Sequence, residues 1–278
     1  MDRHVVLIKC PDQKGLIHKI TGVLFQRAFN IVRNAEFVDP ETGTFFMRSE
    51  VEGELNSGAV TAELHSVLPH GAEVRIVGAA PKSIVVFVTR EYHCLGELLT
   101  RHEFQTLGAR ILAVVSNHDS LGPFVEKFRI PFHYVPHEGL EREEHERRIL
   151  GVLEPYPADY IVLAKYMRIL TPAFVANFRH RIVNIHHSFL PAFAGANPYK
   201  QAYQRGVKII GATAHFVTDE LDEGPIIAQS VIPVDHTHGW REMAQAGRDV
   251  EKITLARALR FVFEDRVFVS GNRTIIFD

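Results

Sequence analysis

Apolar positions along the first 77 residues fall into short runs and helical stripes that alternate. Val5-Val6-Leu7-Ile8 is a continuous apolar run closed by Cys10-Pro11-Asp12, which reads as a short buried strand ending in a turn. Leu16, Ile20, Val23 and Leu24 then recur at the spacing of one helical face. Asn30-Ile31-Val32 opens a second strand. Asp39-Pro40-Glu41-Thr42-Gly43 is turn chemistry, and residues 45–51 return as a third strand, which predicts a hairpin. A second helix is predicted over 59–68 and a last strand over 73–77. The order β-α-β-β-α-β is the split-βαβ, ferredoxin-like arrangement. A sheet of this size, about 75 residues in all, has one helix-covered face and one left over, so pairing with another copy is expected.

Gly78-Ala79-Ala80-Pro81-Lys82 joins small residues to a breaker and predicts a linker over 79–83, dividing the chain into 1–78 and 84–278. Ile84-Val85-Val86-Phe87-Val88 is apolar without alternation, the mark of a strand buried on both faces. Further runs at 111–115, 132–135, 160–163 and 181–186, with helical stretches between, predict a doubly wound, Rossmann-like parallel sheet. Segments 209–217 and 226–234 lie close together around Glu223-Gly224-Pro225, so a late antiparallel portion should make the sheet mixed. A long helix over 241–263 and a hairpin across Gly271-Asn272 complete an α/β chain.

Composition narrows the partners. With 31 Lys+Arg against 33 Asp+Glu, there is no basic excess to draw nucleic acid. Two cysteines cannot frame a disulfide scaffold and suit a reducing, cytoplasmic setting. No run reaches the ~18 apolar residues of a membrane span, and Met1-Asp2-Arg3-His4 leads straight into a strand rather than a signal peptide. The 16 histidines invite a metal reading. His93, His118, His133, His137, His187 and His215, however, form no H-x-x-x-H helix pair and no H-E-x-x-H motif, since His133 and His137 flank Pro136 in a strand-to-loop segment. Scattered polar histidines and no metal are the expectation. Residues 141–148 alternate in charge, with Glu144 and Arg148 four apart, and read as a solvated helix face. Cys94, at a helix start, reads as a small packing residue rather than a reactive thiol.

In open α/β sheets, ligands bind beyond the carboxyl ends of the strands. The richest polar cluster after a strand is Asn184-Ile185-His186-His187-Ser188. Along an extended segment side chains two apart share a face, so Asn184 and His186 point together while Ile185 and His187 point away. An amide donor and an imidazole would then stand side by side. The acidic loop Asp219-Glu220-Leu221-Asp222-Glu223-Gly224 follows the strand ending near Val217, and its Gly224-Pro225 turn could carry it over the same crevice. On the residues alone, a structural histidine and a solvated acidic turn remain open as the ordinary readings of such segments.

Asn184-Ile185-His186-His187-Ser188-Phe189-Leu190-Pro191, Gly211-Ala212-Thr213-Ala214-His215-Phe216-Val217 and Leu221-Asp222-Glu223-Gly224-Pro225-Ile226-Ile227 resemble the folate-dependent formyltransferase family. Residues 88–96, 163–170, 195–199 and 246–251 match further segments, so the resemblance covers essentially the whole chain. Asp12-x-x-Gly15-Leu16 and Asn30-Ile31 make the first block resemble an ACT domain. The resemblance implies an N-terminal ferredoxin-like ACT domain followed by a Rossmann-like formyltransferase domain. It implies Asn184, His186 and Asp222 as the catalytic trio. Met167, Arg168, Ile169 and Leu170, with the loop ending at Asp222, would hold the pterin through main-chain groups. It implies 10-formyltetrahydrofolate as substrate, with no cofactor, and a homo-oligomer, dimer or tetramer. An effector site at Asp12, Gly15, Leu16, Asn30 and Ile31 would take a small amino acid, glycine and methionine being the expected pair.

One departure selects a branch of that family. Its ribonucleotide-accepting members cradle the acceptor's phosphate in a glycine-rich turn after the first strand of the sheet. Here that turn is Thr89-Arg90-Glu91-Tyr92-His93-Cys94, with no glycine before Gly96, and Glu91 would repel a phosphate. Water is then the expected acceptor, giving formate for purine synthesis and balancing one-carbon folate pools. Two other classes stay open: an amino-acid-sensing protein with an inactive α/β domain, and a transferase with another acceptor. The implied chemistry is sound. Attack on the amide-like N10-formyl carbonyl creates an oxyanion, for which the Asn184 amide and a protonated His186 are suitable donors. Asp222 would favour the imidazolium, position water and relay its proton. His186 and the Asp222–water pair are both open as the acid for the departing nitrogen, and His215 is expected as a supporting residue.

Overall fold

Leu16, Ile20, Val23 and Leu24, the stripe picked out by spacing, are the buried residues of α1 (Leu16–Gln26). They pack on a sheet made by β1 (Arg3–Pro11), β2 (Asn30–Asp39), β3 (Thr44–Glu52) and β4 (Glu73–Gly78), in the order β2-β3-β1-β4. Helix α2 (Ser57–Val67) adds Val60 and Leu64 to the same core, and the Asn56 side chain caps it by accepting from Ala59 N at 3.2 Å. All three ladders are antiparallel. This is the expected β-α-β-β-α-β arrangement. The computed structural model describes residues 2–191 and 198–278, and the chain divides into a unit ending at Ala80, joined by Phe277–Asp278, and a second spanning Pro81–Ile276.

In the second unit, β5 (Lys82–Val88), β6 (Ala109–Ser116), β7 (Phe132–Tyr134), β8 (Tyr160–Leu163) and β9 (Ile182–His186) run parallel. Strands β10 (Ile209–Phe216) and β11 (Ile226–Pro233) extend that sheet antiparallel to β9 and to one another. The order is β11-β10-β9-β8-β5-β6-β7. Ile84 to Val88 are each 0% exposed, so the central strand is buried on both faces, as its unbroken apolar run requires. Alternate residues feed different layers. Val86 and Val88 pack with Leu95 and Leu98 of α3 (His93–Glu103) and Leu255 and Leu259 of α8 (Trp240–Phe263). Val85 and Phe87 pack with Ile149 of α5 (Arg142–Leu153) and Phe174 of α6 (Pro172–Asn177). The hairpin of β12 (Val267–Ser270) and β13 (Arg273–Ile276) follows α8. Among the described residues no helix is long and apolar enough to cross a membrane.

From β5 the chain first winds outward through β6 and β7, then returns to place β8 and β9 on the other side. The crevice at such a reversal, beyond the carboxyl ends of the strands, is where open sheets bind ligands. Here the cavity lies at the carboxyl ends of β8 and β9 and is walled by the end of β10 and the loop after it.

Candidate active site

Asn184 and His186 leave β9 on one face, with Ile185 buried behind them, as the pleat demands. They line a cavity of about 450 Å³ together with Lys165, Met167, Arg168, Ile169, Leu170, His215 and Asp222. The cavity thus gathers the trio and the four loop residues named from the sequence. His187 departs from expectation. Because β9 ends at His186, alternation stops there; the His187 ring stacks on His186 at 4.9 Å and 14° and also lines the cavity.

Asp222 reaches this face through a close backbone approach. A Cβ on Gly224 would lie 1.8 Å from Phe216 O, so only glycine lets the acidic loop fold against the end of β10. Asp222 itself sits at φ 58°, a left-handed conformation that aspartate tolerates better than most side chains. Its Oδ2 lies 3.2 Å from His186 Nδ1. Burial pushes the Asp222 carboxyl up, but the hydrogen bond from His186 and the imidazoles of His186, His215 and His187 outweigh it and hold the group below the ordinary carboxylate range. Among the described residues, His186 Nε2 is buried and has no hydrogen-bond partner. A polar atom of this kind calls for a function.

His215 fixes the amide. Its Nδ1 lies 2.9 Å from Phe216 O, a carbonyl that can only accept, so Nδ1 carries the proton. Burial holds the ring's pKa below the ordinary histidine range, so the ring is neutral and Nε2 presents a lone pair. Asn184 Nδ2, 3.2 Å away, must therefore donate to it. That sets which end of the Asn184 amide is NH₂ and leaves its second N–H for the cavity. The sequence marked His215 only as supporting; the geometry gives it this orienting contact.

The loop carrying Met167, Arg168, Ile169 and Leu170 is pinned at both ends. Met167 N donates to Thr89 Oγ1 at 2.9 Å. At the far end Thr171 N donates to Glu146 Oε1 at 2.7 Å, and the Thr171 hydroxyl donates to Glu146 Oε2. This corrects the reading of residues 141–148 as a solvated face. Glu144 does pair with Arg147 and Arg148, but His145 and Glu146 are buried beneath them. Removing Glu146 would strand two buried donors, so Glu146→Ala is expected to lower stability by about 1–3 kcal/mol and to raise KM for the loop's ligand. Glu144→Ala should leave both within error. Urea unfolding and steady-state kinetics on the two variants check this.

Beside the loop, Glu251 of α8 anchors a buried network. It accepts from His93 Nε2 at 2.7 Å and from the Tyr199 hydroxyl at 2.7 Å, and Lys165 Nζ lies 3.3 Å away. Burial pushes the Glu251 carboxyl up, yet these partners hold it at about 2. Glu91, 3.6 Å from His93 Nδ1, adds a second carboxylate to the same neighbourhood. His93, Cys94 and Glu251 also stand within metal-ligand reach of one another. Glu251 is already occupied by its partners, and burial pushes the Cys94 thiol well up, which suits packing and not ligation. The segment 195–197, part of the family resemblance, lies outside the described residues.

In the first unit, Asp12, Gly15 and Leu16 lie at the carboxyl end of β1, with Gly15 at φ 85° and the Leu16 side chain buried in the core. Asn30 and Ile31 line a shallow groove with His18, Thr21, Gly22 and Phe25. Pro11 pairs with Thr44 and Asn30 with Glu52, so the two groups sit at opposite ends of β3, about 26 Å apart at ~3.3 Å per residue. One copy does not bring them together.

The formyl transferase family model matches residues 82–259 and the ACT domain model residues 4–69. A formyltetrahydrofolate deformylase of Escherichia coli strain K12 is 56% identical over 276 residues, covering 99% of each chain. One from Bacillus subtilis strain 168 is 43% identical, covering 100% of this chain and 94% of that one. The crystal structure of a formyltetrahydrofolate deformylase from Pseudomonas syringae pv. tomato DC3000 superposes with a TM-score of 0.95 at 40% identity, covering 100% of this chain and 95% of its own. Two domain matches in the expected order, and relatives alike along their full length, place the chain in the formyltetrahydrofolate deformylase family.

Proposed function

We propose that the chain hydrolyses 10-formyltetrahydrofolate to formate and tetrahydrofolate. The single observation behind this is the convergence of Asn184, His186 and Asp222 on one cavity, with His186 Nε2 left for a ligand. Asp222 Oδ2 accepts a hydrogen bond from His186 Nδ1–H, so protonation of the ring places a donor at Nε2. Nε2–H and the free Asn184 N–H form a pair of donors for the oxyanion born when water attacks the formyl carbon. Asp222, held ionised, orients that water and takes its proton, then returns it so that N10 departs neutral. The Met167–Leu170 backbone, pinned by Thr89 and Glu146, receives the pterin.

Water as acceptor is supported by what lies next to the reacting groups. His93, Lys165 and Tyr199 close around Glu251 and satisfy one another, so the place beside the cavity-lining Lys165 is filled by side chains. Among the described residues it has no open turn of backbone N–H groups to receive a phosphorylated acceptor. Turnover in water enriched in heavy oxygen is expected to label the released formate. Formyl movement only after addition of a phosphorylated amine would overturn the hydrolytic reading.

The ACT unit is proposed to bind a small amino acid, glycine and methionine being the candidates. With Asp12 and Gly15 at one end of the sheet and Asn30 at the other, a site using both requires two copies. That ties the effector site to a dimer or larger homo-oligomer.

A further inference from the structure

Strand β6 ends beside β7, with Ser116 opposite Tyr134, so residues 117–118 and 135–138 leave the sheet side by side. This brings His118 and His137 together although 19 positions separate them in sequence. Their ring centroids are 5.4 Å apart with planes at 82°. One nitrogen of each ring and one carboxylate oxygen of Glu138 lie within 4.8 Å of one another. Two imidazoles and a carboxylate are the donor set of borderline divalent metals such as zinc and cobalt. Two imidazoles bound tetrahedrally at ~2.0–2.1 Å place their centroids about 5 Å apart, close to the spacing seen. The histidines of this chain are therefore not simply scattered; no linear motif exposes a pair joined only through strand register.

The surroundings extend the comparison with metal sites. Asn117, 2% exposed, stands behind His137 with Nδ2 donating to Nδ1 at 3.3 Å. Ligation through Nε2 would move the ring proton to Nδ1 and turn the Asn117 amide over. Oδ1 then accepts from the ring and Nδ2 faces Thr89, the outer contact that orients a ligating imidazole. His145 is committed elsewhere, its Nε2–H donating to Val135 O at 3.0 Å, so it walls the cluster without joining it. Arg90 faces His118 from one side, and the carboxylates of Glu138 and Asp119 bring negative charge against it. Behind Asn117 a chain of hydrogen bonds runs to the folate loop: Thr89 Oγ1 donates to Asn117 Oδ1 at 3.0 Å and accepts from Met167 N at 2.9 Å.

We propose that His118, His137 and Glu138 bind a divalent transition-metal ion of the zinc class, with solvent completing its coordination, and that the bound ion stiffens the Asn117–Thr89–Met167 chain and so tightens substrate binding. The second half rests on the reading that the Met167 loop holds the folate; the first half does not.

The full-length protein, stripped with chelator, is titrated with cobalt(II), and the visible absorption of low-coordinate cobalt is followed alongside calorimetry with zinc. One ion per chain is expected. His118→Gln and Glu138→Gln should each weaken binding by at least ~10-fold, and Asn117→Ala by ~10–100-fold. Glu138 is exposed, so its variant keeps the test valid should His118→Gln disturb the fold. Absence of a stoichiometric ion, or binding unchanged in both ligand variants, overturns the site. In kinetics, metal should lower KM for 10-formyltetrahydrofolate with little change in kcat, and His118→Gln should match the metal-free protein with or without zinc. Stoichiometric binding with an unmoved KM overturns the coupling. If the protein released no formate at all, the functional reading would fail while the cobalt spectrum still reported on the site.

Discussion

Asp222→Asn is expected to leave the fold and folate affinity close to the parent and to cut formate release by ~10²–10⁴-fold. The two side chains have nearly the same shape, so the loop held against β10 by Gly224 should keep its place. What changes is the charge. In the proposed mechanism the carboxylate, 3.2 Å from His186 Nδ1, accepts the ring's N–H and takes the water's proton, and an uncharged amide cannot take that proton. A KM near the parent value with a much lower kcat is the signature of a group acting in the transition state. Turnover close to the parent, with unchanged circular dichroism, would move the base to another residue.

The second large effect is expected from Gly224→Ala, at a position outside the cavity lining. The added methyl would lie 1.8 Å from Phe216 O and 2.9 Å from its carbonyl carbon, and backbone cannot swing aside as a side-chain tip can. Overpacking of this kind typically lowers stability by about 1–3 kcal/mol. Relief must come from the loop or from Phe216. Phe216 O accepts the proton that fixes the His215 tautomer, and His215 in turn orients Asn184, so either displacement disturbs the donors. A misplacement of about 1 Å can lower turnover ~10²-fold. Unfolding and kinetics on the variant, beside Gly22→Ala on the open side of α1, test this. If Gly224→Ala retained parental kcat, the loop would be free to slide and its grip on Asp222 would be incidental.

The sequence carried most of the fold because the signals were local. The stripe of α1, the unbroken run of β5 and the Asp39–Gly43 turn each lie within a dozen residues. The Asn184–His186 pair was legible for the same reason, since strand alternation decides it. Alternation then misplaced His187, where the strand had ended. Contacts made through strand order were out of reach. Nothing in the spacing of Thr89, Asn117 and His137 tells that parallel β5, β6 and β7 align their ends. Glu146 was hidden differently, by neighbours of the same polarity, because a helix turns a charged residue inward as readily as outward when a buried donor awaits it. The distance between Asp12 and Asn30 followed only from β3 lying between β1 and β2.

The inward turn of Glu146 bears on protein engineering. Residues 141–148 look like interchangeable surface, and a scheme that alters surface charge for solubility or crystal growth would sample them evenly. At Glu144, Arg147 and Arg148 such changes meet solvent. At Glu146 the same edit loosens the mooring of a binding loop from its far side. Libraries screened at saturating substrate would pass it as silent. Screens run at scarce substrate would reject it, and the two selections would disagree about a residue that touches neither substrate nor solvent.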